Sequence, residues 1–222
     1  MHLFPLSRPD SHRYLHIHRE LFKKNQIPYL EVRRPFILGV LSEDEPAWKP
    51  TAAHMFMKVL HDKGLLRCAF TQNIDGLDYH TGLPADAICP VHGSIGKVAC
   101  EMCGKECGNK WFHDQVVENI KDIYAKDPAN SLPTKSTKIA CPSCGKFGVK
   151  PATVLYGRDL PAEFFERKPK VLSGLDLLFV AGTSLVVGPA NTIAEETEES
   201  TVRCLVNMEK VGEELGMFNA GR

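Results

Sequence analysis

Two Cys-x2-Cys pairs, Cys100-Glu-Met-Cys103 and Cys141-Pro-Ser-Cys144, constrain this chain more than any other feature. A CxxC turn aims two sulfurs at one point, and a second such turn completes a tetrahedron around a zinc ion with Zn–S bonds of about 2.3 Å. Two disulfides or an accidental pairing are the competing readings. Four thiolates leave no open coordination position, so the metal is structural and any chemistry must come from other groups. His92, in Val91-His92-Gly93-Ser94 just ahead of Cys100, is the first of these. Cys107 follows Cys103 closely enough to replace one ligand and stays in reserve. Cys68, Cys89 and Cys204 sit in apolar surroundings, where a thiol serves as a small buried hydrophobe.

Composition excludes several classes. The 27 Lys and Arg residues balance 27 Asp and Glu, so no overall field draws the protein onto nucleic acid or an acidic membrane. No apolar run approaches the ~18 to 20 residues that span a bilayer. The first residues lack the apolar stretch of a signal peptide, and metal-type cysteine spacing fits a reducing compartment, cytoplasmic or nuclear. The 222 residues suit one core carrying a small insertion.

Strands and helices alternate along the chain. Residues 14–30 read as a helix broken at Asn25-Gln26-Ile27-Pro28, and Pro50 to Gly64 as a helix that Thr51 can cap, with His54 and His61 as surface or edge residues. Arg67 to Thr71 and Ala87 to Val91 read as short buried strands. Val116, Val117, Ile120, Ile123 and Tyr124 form the stripe of a helix between the cysteine pairs, and another helix lies near Ala162 to Arg167. Asp176 to Ala181 is the clearest strand, and its unbroken apolar character suits a parallel sheet covered on both faces. Pro189 is placed to begin a helix, and Thr201 to Val206 reads as a further buried strand. The pattern predicts an α/β fold, a Rossmann-like parallel sheet with helices on both faces plus a small inserted zinc-binding module. The sheet lobe comprises residues 13–96 and 153–222, and the insert residues 97–152. Ligands bind beyond the C-terminal ends of such strands. Four of those ends carry polar or glycine-containing groups: Gln72 to Asp75, His92-Gly93, Gly182 to Ser184, and Asn207.

Thr71-Gln-Asn-Ile-Asp-Gly-Leu77, His92-Gly-Ser94, the CxxC pairs, Val154-Leu-Tyr-Gly157, Gly182-Thr-Ser-Leu185 and Val206-Asn-Met-Glu209 occur in that order. Together they resemble the signature of the sirtuins, the NAD-dependent protein deacylases, over about residues 20 to 210. The resemblance implies cleavage of the nicotinamide bond of NAD and transfer of a lysine acyl group to ADP-ribose. It makes His92 the catalytic base on the ribose hydroxyls, a task that suits an imidazole titrating near neutral pH. It assigns Gln72, Asn73, Ile74 and Asp75 to the nicotinamide and its ribose. Gly182, Thr183 and Ser184 fall to the cofactor's ribose and phosphate, and Asn207, Met208 and Glu209 to the adenine ribose. Val154 and Tyr156 flank the acyl-lysine channel. The implied cofactors are NAD and one structural zinc ion, and the implied partners are acetylated or acylated lysine proteins, histones among the candidates.

The chain also departs from the family's pattern. An acidic residue is expected where Arg158 stands, and phenylalanine where Tyr156 stands. No glycine precedes Gly39, so the family's first strand and glycine-rich cofactor loop are expected to be missing, as is the final strand beyond Arg222. Loss of a central strand would expose apolar sheet edges. A catalytically silent module that binds acyl-lysine or protein is therefore the alternative function. A zinc hydrolase is disfavoured by the four thiolates, and a zinc-ribbon nucleic-acid binder by the balanced charge.

Overall fold

The computed structural model describes residues 18–42, 48–125 and 132–218. Helix α1 (Arg19–Lys24) stops at Asn25, and α2 (Ile27–Leu41) begins almost at once. The helical signal was expected to end at Ile27-Pro28, and α2 was not foreseen, because two prolines look like breakers. Pro28 occupies the first turn of α2, where a missing N–H leaves no bond unmade, and the helix continues through Pro35. Residues 14–17 of the first expected helix lie outside the described residues. Leu30, Ile37 and Leu41 recur at the i, i+7, i+11 spacing of one helix face, and all three are buried.

That face packs against α4 (Asn109–Asn119), through Phe112, Val116 and the capping residue Ile120, and against strand β3 (Gly93–Cys100). The α4 stripe differs from expectation in extent. The helix starts before Trp111 and ends at Asn119, leaving Ile123 and Tyr124 exposed beyond it. Strand β3 pairs antiparallel with β4 (Glu106–Cys107) on one side and with β5 (Val149–Thr153) on the other. Gln26 is fully buried at the α1–α2 corner, where its Nε2 donates to the Ile139 carbonyl at 2.8 Å.

The parallel strands form two further pairs. β1 (Ala69–Thr71) runs beside β2 (Ile88–Pro90), and β6 (Leu177–Ala181) beside β7 (Val202–Val206). Helix α3 (Ala52–Asp62) precedes β1, and α5 (Ala162–Leu172) packs Phe164 against Phe70, Cys89 and Val91. The architecture is Rossmann-like, yet among the described residues its parallel strands stay in separate pairs. The expectation that Asp176 to Ala181 is covered on both faces does not hold. Leu178, Val180 and Leu205 turn toward Leu185, Ala194 and Met217, whereas Leu177 is 50% exposed, Phe179 41% and Val202 64%. One face of this pair is packed and the other is open. The helix expected from Pro189 is short and begins later, as α6 (Thr192–Glu196).

Candidate active site and metal centre

The turn after β1 and the turn after β2 are held together by backbone bonds. Val91 N–H donates to the Thr71 carbonyl at 2.9 Å and Ile95 N–H to the Ile74 carbonyl at 2.7 Å. His92 lies between these ties, half-buried, with Nδ1 3.0 Å from the Gln72 carbonyl oxygen. A carbonyl oxygen only accepts, so Nδ1 carries the proton and Nε2 keeps its lone pair. The ring is thus fixed in the tautomer a base needs. Gly93, at φ +73°, is required here, because a Cβ would stand 2.0 Å from the Ala152 carbonyl oxygen. This close approach brings β5 alongside, and Val154 N–H donates to the His92 carbonyl at 2.9 Å.

Asn73 is exposed at the rim, whereas Asp75 is half-buried and accepts the Leu77 N–H at 3.1 Å. Beneath it, one ligand-capable atom from each of Asp75, Asp78 and His54 lies within 4.8 Å of the others. His54, expected at the surface or an edge, is buried. Its Nδ1 accepts from the Thr51 N–H at 3.1 Å, closing a capping box on α3, and Nε2 faces Asp78 at 3.9 Å. Burial pushes the Asp78 carboxyl up, with Asp75 adding to it and His54 opposing. This group was not expected from the sequence; the signal was His54 at the third position of a helix that lacks an acidic capping partner.

Tyr156 is half exposed, and its carbonyl accepts the Arg19 N–H at 2.9 Å. The remaining candidates cluster at the ends of β6 and β7. Gly182 N–H donates to the Val206 carbonyl at 3.0 Å, Thr183 Oγ1 accepts the Leu185 N–H at 3.1 Å, and Asn207 Nδ2 donates to the Glu209 carbonyl at 3.1 Å. Ser184 is exposed, and Met208 is fully open to solvent. Gln72 to Asp75, His92 and Val154 therefore form one assembled group, and Gly182 to Ser184 with Asn207 to Glu209 a second.

The four cysteines converge. Cys100 and Cys144 sulfurs are 3.8 Å apart and Cys103 and Cys141 sulfurs 3.9 Å. Tetrahedral zinc with 2.3 Å bonds separates its sulfurs by about 3.8 Å, so the cluster fits one structural zinc ion. The two turns repeat each other. Met102 N–H faces the Cys100 sulfur and Ser143 N–H the Cys141 sulfur, each at 3.4 Å, while Gly104 and Gly145 close their turns at φ +73° and +69°. Cys107 is not among the converging four; burial pushes its thiol up to about 11.

The Sir2 family model matches residues 14–189. The NAD-dependent protein deacetylase sirtuin-2 of Danio rerio is 32% identical over 207 residues, covering 91% of this chain and 48% of that protein. Sirtuin-3 of Mus musculus is 34% identical, with 81% and 48% covered. The NAD-dependent protein deacetylase HST2 of Candida albicans is 36% identical, with 87% and 51% covered. The fold, the four-thiolate centre and these matches define one class, and the chain belongs to the Sir2 family. It spans about half the length of the curated relatives it matches.

Proposed function

We propose that this protein is an NAD-dependent lysine deacylase that moves an acyl group from a protein lysine to ADP-ribose with release of nicotinamide. The observation that carries the reading is the His92 ring held with Nδ1 on the Gln72 carbonyl, between the Gln72 to Asp75 turn and the Val154 strand end. NAD, when bound, supplies the nicotinamide leaving group and the ribose carbon that receives the acyl oxygen. In this reading His92 Nε2 takes a proton from a ribose hydroxyl, and Nδ1–H stays on the Gln72 carbonyl to stabilise the imidazolium that forms. Asn73 and Asp75 bind the carboxamide and ribose, while Gly182 to Ser184 and Asn207 to Glu209 hold the adenosine end. Val154 and Tyr156 line the acyl-lysine entry. Zinc supplies no step, because all four positions are thiolate; it fixes the lobe formed by residues 97–152.

Acetylated lysine proteins, histones among them, are the proposed substrates. None of the eight cysteines is joined in a disulfide, and four of them form the metal centre, which supports a reducing compartment, cytosol or nucleus. Among the described residues no helix is long and apolar enough to cross a membrane. The test is incubation with NAD and an acetyl-lysine peptide, followed by nicotinamide release. We expect turnover that falls by at least about 100-fold in His92→Ala. Peptide binding without turnover in the unaltered chain would reject the enzyme in favour of a binding module.

A further inference from the structure

A cleft of about 550 Å³ opens beside Val154 and Gly157, on the side of the acyl-lysine entry that faces the metal lobe. At its base Glu101 is 1% exposed in its side chain and gathers three cations. Arg19 Nε stands 2.6 Å from one carboxylate oxygen, and Arg158 Nη1 and Lys150 Nζ stand 2.8 and 3.5 Å from the other. One carboxylate balances one of these charges. Asp159 also lines the cleft, as does Cys100 of the four-thiolate centre, so what the cleft offers an anion is two guanidinium groups rather than a net positive field, and the Glu101 oxygens are already engaged.

The guanidinium groups are accessible. Arg158 is half exposed and Arg19 about a third, and each gives Glu101 a single nitrogen, leaving the rest of its planar donor fork for another acceptor. Lys150 is buried and anchored by bonds to the Pro151 and Thr153 carbonyls at 3.0 and 2.6 Å, so it contributes field rather than contact. The opposite wall adds a further positive element. Helix α5, eleven residues long, begins there at Ala162 with no side chain capping its first N–H groups; the Phe164 N–H is held by the Pro161 carbonyl, and Glu163 of the first turn is paired with Arg167. Guanidinium forks beside a helix start that lacks a side-chain cap are what a carboxylate or phosphate needs.

We propose that this cleft receives an anionic side chain, glutamate or phosphoserine, one or two residues from the acyl-lysine of the substrate peptide, and so sets sequence preference. The proposal rests on the deacylase reading, since that reading places the acyl-lysine at Val154 and Tyr156. An extended peptide puts side chains two residues apart about 7 Å from one another, a span that leads from the entry into the cleft.

Affinities of labelled acetyl-lysine peptides for the full chain test it, with alanine, glutamate, lysine or phosphoserine at the flanking positions. Glutamate and phosphoserine peptides should bind about fivefold more tightly than alanine, and lysine more weakly, with the spread shrinking in about 0.5 M salt. Arg158→Glu should invert the order and Arg158→Gln flatten it, zinc content and melting transition reporting that both variants fold. Preference for phosphoserine alone would keep the site and narrow its ligand to a dianion. Alanine, glutamate and phosphoserine peptides all binding within about twofold of one another, or an anion preference surviving in Arg158→Glu, overturns the proposal alone. Failure of every acetyl-lysine peptide to bind instead removes the deacylase reading, and the proposal with it.

Discussion

The metal lobe and the β6–β7 pair both carry apolar residues, and they use them differently. Around the four cysteines, Leu30, Ile37, Phe112, Val116, Ile120, Ile139 and Val149 are all fully or almost fully buried. In β6–β7, Leu178, Val180 and Leu205 turn into the cluster of Leu185, Ala194 and Met217, and the alternate set, Leu177, Phe179, Val202 and Val206, stays about half exposed. A metal ties two distant turns to one point, after which helices can close on both sides of a small sheet. Two parallel strands have no such tie and are stable only when both faces are covered. Stability is therefore uneven within this one chain.

The largest expected effect breaks the comparison at the metal. Cys141→Ser with Cys144→Ser should reduce bound zinc from about one per chain to almost none, and the lobe should lose its cooperative unfolding. Structural zinc is worth ~10 to 16 kcal/mol in small zinc domains, comparable to a domain's whole net stability. Hydrogen exchange should rise through 93–153 while changing little over 177–206. Unaltered metal content in the double variant would sink the four-thiolate assignment.

Next in size is Phe112→Ala. The ring is fully buried between α2 and β3, and its removal should cost about 3 to 5 kcal/mol in denaturant unfolding. A loss under about 1 kcal/mol would mean that the lobe is not close-packed.

How much of this was legible in sequence follows the same division. The four-cysteine site was readable because each ligand pair lies within four residues, and spacing alone fixes the geometry. The His92 turn was readable as a polar strand end, but the tautomer depends on the Gln72 carbonyl twenty residues earlier in the chain. Helix α2 was hidden by Pro28 and Pro35, since a proline at a helix start and one at a break look alike in sequence. The open face of β6 was misread because continuous apolarity records what a strand can bury, not what covers it. The Glu101 group was invisible for a third reason. Its four charges come from α1, the first cysteine turn, β5 and the turn after Tyr156, and only folding makes them neighbours.

That charge group gives the third prediction. Burial lowers the Lys150 ammonium from its ordinary 10.5 to about 8, against the pull of Glu101. Between those values the unfolded chain holds more protons than the folded one, so stability rises with pH across that window. Below pH 8 the penalty of the buried charge is present in full. The gain is on the order of 3 kcal/mol, and it should appear as an upward trend in unfolding free energy from pH 8 to 10. Lys150→Met should remove the trend relative to the unaltered chain, other lysines and thiols being common to both. Parallel pH profiles for the two proteins would show that the ammonium is solvated.

The smallest effect probes the open face. Phe179 is 41% exposed, and its ring meets Phe56 of α3 at a centroid distance of 5.5 Å, tilted by 52°. Phe179→Thr keeps a side chain suited to a strand and removes part of one aromatic contact, worth about 0.5 to 1.5 kcal/mol beyond area. We expect a destabilisation near 1 kcal/mol, well below that of Phe112→Ala. Exposed apolar strands invite pairing between chains, so the same substitution should lower the apparent mass in concentrated solution. A loss above about 3 kcal/mol would have the opposite meaning. The face would then be covered in solution, and the contrast between the two regions would belong to the described residues alone rather than to the protein at work.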